Sequence, residues 1–174
     1  SDNAHADIQN AKSMYESALG RDIAVLYFPF YGSYMNYEQE FRVDAIATAI
    51  NKFISNTKLL PVFVGAPWDD NHTMQCLLNA ISGNYINLLG KTELYQVFGL
   101  LQAAKMIIGY QAGPVQLAAG SGKKTLLLWD GRFHDNMMYS IVPPEVRRTS
   151  YRALKTTGLT VDTLSNELMD LYAR

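Results

Sequence analysis

The sequence has little of what marks secreted, membrane or nucleic-acid-binding proteins. Its 174 residues include one cysteine, Cys76, so no disulfide can form within the chain, and we expect a reducing, cytoplasmic location. A net charge of −1 provides no basic surface for nucleic acid or for an anionic membrane. No apolar run reaches the roughly 18 residues that a membrane span needs. We therefore expect no nucleic acid partner and no membrane span.

Metal-ligating side chains are also scarce. The chain has three histidines, and no grouping of histidine, cysteine and carboxylate has the spacing of a metal site. We therefore expect no metal and no cofactor. Hydrophobic residues make up 48% of the chain and charged residues 18%, which is the composition of a globular domain with a substantial core.

Apolar runs and amphipathic segments alternate along the chain. The runs are typical of buried strands, and they cover residues 23–28, 59–64, 85–89, 106–109 and 125–129. Helical spacing or helix-start signals predict helices over residues 8–19, 37–55, 92–102 and 161–172, together with a helix that Asp69 or Asp70 caps and that runs to Ile81. This alternation predicts an α/β, Rossmann-like, doubly wound parallel sheet.

The chain divides into two parts at about residue 20. Residues 1–20 are expected to form an N-terminal helix, and Ser1 to Ala4 resemble the remnant of an expression tag. Residues 21–174 are expected to form the Rossmann-like domain. Within it, Gly113 and Pro114 follow a buried strand and open a helix, and a helix N-terminus in this position favours a phosphate group. We expect Gly113 to use backbone angles closed to other residues, so that the chain can turn sharply there and approach a ligand.

Ligands of such sheets bind beyond the carboxyl ends of the strands, in the loops that lead into helices. Four loops are therefore candidates, at residues 29–36, 65–71, 109–116 and 129–138. Besides Gly113 and its neighbours, the loops carry groups capable of recognition, namely Tyr31, Gly32, Ser33, Trp68, Asp69, Asp70, Asp130, Arg132 and His134.

Three blocks in these loops carry a family resemblance. The sequences GAPWDD at 65–70, LGKTEL at 89–94 and GYQAGPVQLAA at 109–119 resemble, in this order, the C-terminal half of the heptosyltransferases of glycosyltransferase family 9. The resemblance implies one lobe of a GT-B-type glycosyltransferase, the lobe that binds a nucleotide-sugar donor. It further implies an inverting transfer in bacterial surface saccharide synthesis, such as that of lipopolysaccharide.

The resemblance also implies roles for individual residues. Gly32 and Ser33 follow the first strand, Asp70 corresponds to the acidic residue at the ribose, and Asp69 fits that role nearly as well. The diphosphate would lie among Gln111, Ala112, Gly113 and Gln116. Trp68, Asp130, Arg132 and His134 are further candidates for the same site.

The chain departs from the family pattern in its third block. Gln111 stands where the family has aspartate, Ala112 where it has serine or threonine, and Gln116 where it has histidine. The family's N-terminal acceptor lobe, which carries the general base, has no counterpart in this chain, so this lobe alone is expected to bind rather than catalyse. Two other interpretations stay open: a degenerate, non-catalytic module of the same fold that serves as an interaction or scaffold domain, and one half of a sugar epimerase.

Overall fold

A computed structural model describes residues 2–30, 43–129, 135–140 and 142–174, and within them one sheet of six parallel strands. The strands are β1 Ile23–Tyr27, β2 Leu60–Phe63, β3 Ile86–Asn87, β4 Met106–Tyr110, β5 Thr125–Trp129 and β6 Tyr151–Lys155. Their order across the sheet is β3-β2-β1-β4-β5-β6. All five neighbouring pairs are parallel, which confirms the predicted doubly wound α/β sheet.

Helices cover both faces of the sheet. They are α1 Asp2–Leu19, α2 Val43–Thr57, α3 His72–Ala80, α4 Leu94–Ala103, α5 Gly113–Gly120, α6 Asp135–Ser140, α7 Pro144–Thr149 and α8 Val161–Ala173. The core on one face contains residues of α2, α3 and α8, such as Phe53, Met74 and Leu168. The core on the other face contains residues of α1, α4, α5 and α6, such as Ala18 and Val115. Burial on both faces explains why the central strands are continuous apolar runs.

The structure corrects the predictions for three elements that follow β5. Strand β6 and the short helices α6 and α7 were not predicted. In β6, buried Tyr151 is followed by partly exposed Arg152, Ala153 and Leu154. The strand lies at the edge of the sheet, so it lacks the continuous apolar run by which the central strands were recognised.

Several helix boundaries also differ from prediction. Helix α1 begins at Asp2 rather than Ile8, and the first residues predicted for α2 lie outside the described part of the chain. Helix α3 is capped by Asn71, whose side chain accepts a hydrogen bond from the Met74 N–H at 3.1 Å, so neither Asp69 nor Asp70 is the cap. Helix α4 begins after Glu93 rather than Thr92. Across the described ranges, no helix is long and apolar enough to cross a membrane.

Candidate functional site

The C-terminal edge of the sheet has a topological switch point between β1 and β4. These strands are neighbours, with Tyr27 opposite Gly109. After β1 the chain continues to α2 on one face, whereas after β4 it turns into α5 on the other face. The two connections therefore diverge, and such a switch point is where doubly wound sheets bind ligands.

Aromatic rings pack together at the ends of these two strands. Phe28 and Phe30 stack with their centroids 5.7 Å apart, and Tyr110 meets them edge-on at 5.6 and 5.9 Å. All three are buried. The Nδ2 atom of Asn71 donates a hydrogen bond to the Phe30 carbonyl oxygen at 2.8 Å, which ties the exit of β1 to the start of α3. The end of β1 is thus held by packing and by a hydrogen bond.

The turn from β4 into α5 contains only Gln111 and Ala112. The Gln111 N–H continues the sheet ladder by donating to the Leu128 carbonyl oxygen at 3.0 Å. Ala112 occupies the N-cap position in an extended conformation and forms no side-chain cap. Pro114 has no N–H to offer, so Gly113 and Val115 present the uncapped N–H groups of the first turn. This arrangement leaves the positive end of α5 without an acceptor from its cap residue.

The side chain of Gln111 is a second feature of this turn. Its Oε1 atom is buried and has no hydrogen-bond partner among the described residues. A buried amide atom left without a partner costs about 1–3 kcal/mol. Rotation of the side-chain amide by 180° exchanges its oxygen and its nitrogen, so the buried position can hold either an acceptor or a donor. The turn therefore holds a polar group that a bound ligand could satisfy.

The structure changes the interpretation of the two glycines near this turn. Gly113 does not adopt a positive φ, so the special backbone angles expected there are not used. A Cβ placed on it would meet none of the described residues within 4 Å, so these residues leave open space above the helix start. Gly109 is the sterically required residue, since a Cβ there would lie 2.3 Å from the Tyr27 carbonyl oxygen.

The two aspartates after β2 differ sharply in environment. Asp69 is 1% exposed, and its Oδ2 accepts a hydrogen bond from the Ala66 N–H at 2.7 Å. Asp70 is exposed, and its Oδ1 accepts a hydrogen bond from Nε2 of Gln75. Asp69 therefore holds the short 3-10 helix Pro67–Asp69, and Asp70 is the carboxylate available to a ligand.

Asp69 is expected to make stability depend on pH. Burial raises the pKa of Asp69, and the hydrogen bond from Ala66 lowers it by a smaller amount. Because the folded state favours the protonated carboxyl, the protonated form of Asp69 contributes to the stability of the fold. This stabilisation is fully present below the unfolded-state pKa, about 3.9, and is lost as pH rises through the folded-state pKa. Asp69→Asn removes the charge and keeps an amide oxygen. We expect its free energy of unfolding, relative to wild type, to rise between pH 4 and pH 7.

Urea denaturation at the two pH values measures this difference. Asp70→Asn is the matched control, since it removes the same charge from an exposed neighbouring side chain. A relative stability of Asp69→Asn that stays constant over this range would contradict the assignment of Asp69 as a buried carboxyl that resists ionisation.

A groove of about 450 Å³ runs beside Asp70. One wall consists of Pro67, Asp70 and residues 89–91, and the other is formed by α1 through Asp7, Asn10 and Ala11. Gly90 shapes the first wall, because its φ is +65° and a Cβ there would lie 2.9 Å from Cα of Pro67. An adjoining groove of about 720 Å³ continues along α1 to Tyr95. The contribution of α1 was not predicted, because residues distant in sequence form the groove.

The predicted site residues are thus only partly described. Asp70 follows β2, while Gln111, Ala112, Gly113 and Gln116 follow β4, all at the C-terminal edge of the sheet. Trp68 lies in the 3-10 helix and is 66% exposed. The candidates Gly32, Ser33, Asp130, Arg132 and His134 lie outside the described residues. No three metal-ligating side chains lie together among the described residues.

Sequence reasoning also missed a cation at this edge. Lys155 is the last residue of β6, and its Nζ lies 5.5 Å from the centroid of the Trp129 ring. Such a cation–π contact holds the ammonium group over the end of β5. The residue could not be placed from the sequence, because strand β6 was not predicted.

The fold is similar to solved structures that are about twice as long. A family 9 glycosyltransferase from Veillonella parvula superposes with a TM-score of 0.63 at 15% identity, over 97% of this chain and 52% of its own. The Escherichia coli ADP-heptose LPS heptosyltransferase II gives 0.67 at 16% identity, over 92% of this chain and 51% of its own. A protein assigned as a UDP-N-acetylglucosamine 2-epimerase from Listeria monocytogenes gives 0.61 at 16% identity, over 93% and 39%. The chain therefore spans about half or less of each structure.

Sequence comparison distinguishes among these similar folds. No curated protein matches the chain. The sequence profile of glycosyltransferase family 9 (heptosyltransferase) matches residues 48–134, which is half of the chain and includes all three blocks noted above. The chain belongs to glycosyltransferase family 9.

Proposed function

We propose that this chain is the donor-binding lobe of an inverting glycosyltransferase and that it holds a nucleotide-diphosphate sugar at the C-terminal edge of the sheet, across the switch point between β1 and β4. The observation that carries the proposal is the turn from β4 into α5. There, among the described residues, an uncapped helix N-terminus, open space above Gly113 and a buried Gln111 amide atom without a hydrogen-bond partner occur together. Backbone N–H groups and helix polarity favour a phosphate group at such a place.

The order of the strands supports a particular orientation of this donor. From β4 the C-terminal edge continues through β1 and β2 to β3, a distance of about 14 Å at the usual strand spacing. When the diphosphate of the donor lies at Gly113, its ribose lies near Asp70, and its base lies in the groove that contains Gly90 and Lys91. The exposed carboxylate of Asp70 can accept hydrogen bonds from ribose hydroxyl groups.

The proposed lobe binds the donor and leaves the remaining chemistry to another part of the enzyme. A general base must lie within hydrogen-bond reach of the acceptor hydroxyl, and no residue has been assigned that role here. The solved family members are about twice as long as this chain. We therefore propose that an acceptor lobe completes the active site, and that the product is a bacterial surface saccharide such as lipopolysaccharide.

An NMR titration with ADP, GDP, CDP and UDP tests the proposal. We expect one nucleotide to shift the backbone amides of residues 111–116 and Asp70, with binding in the millimolar range because two neutral glutamines replace charged contacts. Hydrogen bonds to neutral groups are roughly half as strong as charge-assisted ones. If no nucleotide shifts these amides, the donor-binding proposal fails.

Gln116→His is expected to strengthen nucleotide binding at low pH. Gln116 lies in the first turn of α5, and an imidazolium there could form a charge-assisted hydrogen bond to phosphate. Such bonds exceed neutral ones by roughly 1 kcal/mol, or about fivefold in affinity. A phosphate partner raises the pKa of the histidine, so the gain should be complete at pH 5.5 and lost by pH 8.

Affinities of the variant and of wild type at the two pH values measure this effect. Gln116→Leu is the control, because it removes the amide and adds no titratable group. A gain that is equal at pH 5.5 and pH 8 would contradict a direct contact between residue 116 and phosphate.

A second candidate function follows from the same glutamines. Gln111 and Gln116 with Ala112 remove the charged and hydroxyl groups that the family pattern has in this block. On this alternative the chain is a non-catalytic scaffold module that keeps the fold and has lost the donor. The titration separates the two functions, since the scaffold would bind none of the four nucleotides.

A further inference from the structure

The N-terminal helix forms part of the groove in which the nucleoside end of the donor is placed. Asp7, Asn10 and Ala11 of α1 line the same groove of about 450 Å³ as Asp70 and Lys91. All three α1 residues lie outside residues 48–134, the segment that matches the family profile. The groove therefore combines a family segment with a helix that the profile does not include.

Packing against α4 holds this helix in place. Ala18 is fully buried in the core shared with Val97 and Leu100 of α4. Tyr15 lies against Gly99 of α4, where a Cβ would come within 2.6 Å of the tyrosine hydroxyl oxygen. The C-terminal half of α1 is thus anchored, and this anchoring fixes the position of Asn10 and Ala11 one to two turns earlier.

The walls of the groove differ in their chemistry. Pro67, Leu89 and Ala11 provide apolar surface, and Leu89 is 4% exposed. Asp7 and Asn10 are exposed polar residues along the α1 side. A carboxylate only accepts hydrogen bonds, whereas an amide both donates and accepts. A flat ring with N–H groups on its edge matches this combination.

We propose that α1 is the outer wall of the nucleoside site, and that Asp7 and Asn10 bind the edge of the base and favour bases that carry an amino group. The inference rests on the proposed donor site. The carboxylate of Asp7 accepts hydrogen bonds from the amino group of adenine, guanine or cytosine. Uracil has no amino group, and the one N–H on this edge of its ring lies between two carbonyl oxygens that would repel the Asp7 carboxylate.

Affinities of single variants for ADP, GDP, CDP and UDP test this inference. In wild type we expect the three amino-bearing nucleotides to bind more tightly than UDP. Asp7→Ala and Asn10→Ala should each weaken the best nucleotide roughly three- to tenfold, the usual effect of losing one hydrogen bond. Asp7→Ala should also reduce the preference over UDP. Gln9→Ala is the matched control, since this exposed residue of α1 does not line the groove.

A bulky side chain placed in the groove tests independently whether α1 forms a wall of the nucleoside site. Ala11→Trp should exclude every nucleotide from the groove, while Ser13→Trp places the same ring on an exposed α1 position that does not line it. Near-UV circular dichroism and the amide shifts of Ala18 and Gly99 show whether α1 stays docked in each variant. Loss of binding in Ala11→Trp with α1 docked supports the proposal.

The results separate this inference from the proposed function. If wild type binds a nucleotide through residues 111–116, and Asp7→Ala, Asn10→Ala and Ala11→Trp all bind it unchanged, then α1 is not part of the site and the donor lobe stands. Wild-type UDP affinity equal to that of the amino-bearing nucleotides overturns the role of Asp7. If wild type binds no nucleotide, both proposals fail together.

Discussion

Replacing Gly109 with alanine is expected to destabilise the protein by about 3 kcal/mol or more. An oversized side chain in a core usually displaces other side chains, whereas here the added methyl group would clash with the backbone, which makes the cost higher than usual. The new Cβ would lie 2.3 Å from the Tyr27 carbonyl oxygen and 3.0 Å from Cγ2 of Val115. Tyr27 lies in β1, at the centre of the sheet. Relief of the clash therefore requires separating β1 from β4. Chemical denaturation followed by circular dichroism measures the loss.

Gly113→Ala is the matched control for this substitution. The glycine lies four residues further along, and in the described part of the chain its added Cβ would meet nothing within 4 Å. Since alanine is favoured over glycine in a helix by up to about 1 kcal/mol, we expect stability to stay the same or rise slightly. Equal losses in the two variants would show that steric contact at Gly109 is not the cause.

Gly113→Val is expected to abolish nucleotide binding while the protein stays folded. The isopropyl group would occupy the open space over the first turn of α5 and keep a phosphate away from the N–H groups of Gly113 and Val115. Loss of these contacts removes the main phosphate-binding element that we propose. The NMR titration should then show no shifts at millimolar nucleotide.

Two further variants make this prediction specific. Gly113→Ala should bind more weakly than wild type but more tightly than Gly113→Val, because the obstruction grows with side-chain size. Asn79→Val adds the same isopropyl group at an exposed position near the end of α3 and should leave binding unchanged. An unaltered affinity in Gly113→Val would exclude the β4–α5 turn from the site.

The sheet was predictable where burial dictates the sequence. Strands β1, β4 and β5 are buried almost throughout, so their apolar runs identified them nearly to the residue. Strand β6 was missed because it is an edge strand with only Tyr151 fully buried. Side-chain chemistry alone also did not identify the cap of α3, because Asp69, Asp70 and Asn71 can each cap a helix. Tertiary contacts select Asn71.

The position of the candidate loop after β4 was predictable, but its steric details were not. The position of the β4–α5 turn followed from strand–loop–helix alternation, and Gln111 and Gly113 lie there as expected. Sequence alone assigned the backbone constraint to Gly113, whereas the close approach of two strands imposes it on Gly109. The groove beside Asp70 includes Asp7 and Asn10, which are some sixty residues away in the chain. Contacts of this range leave no local pattern in a single sequence.

The side chain of Asn71 has a consequence for local unfolding. Its Oδ1 accepts a hydrogen bond from the start of α3, and its Nδ2 donates to the Phe30 carbonyl oxygen 41 residues earlier in the chain. The chain that leaves β1 therefore cannot separate from the start of α3 while Asn71 keeps both hydrogen bonds. The end of β1 and the start of α3 should therefore open together, and their amides should exchange with solvent deuterium as a single cooperative unit.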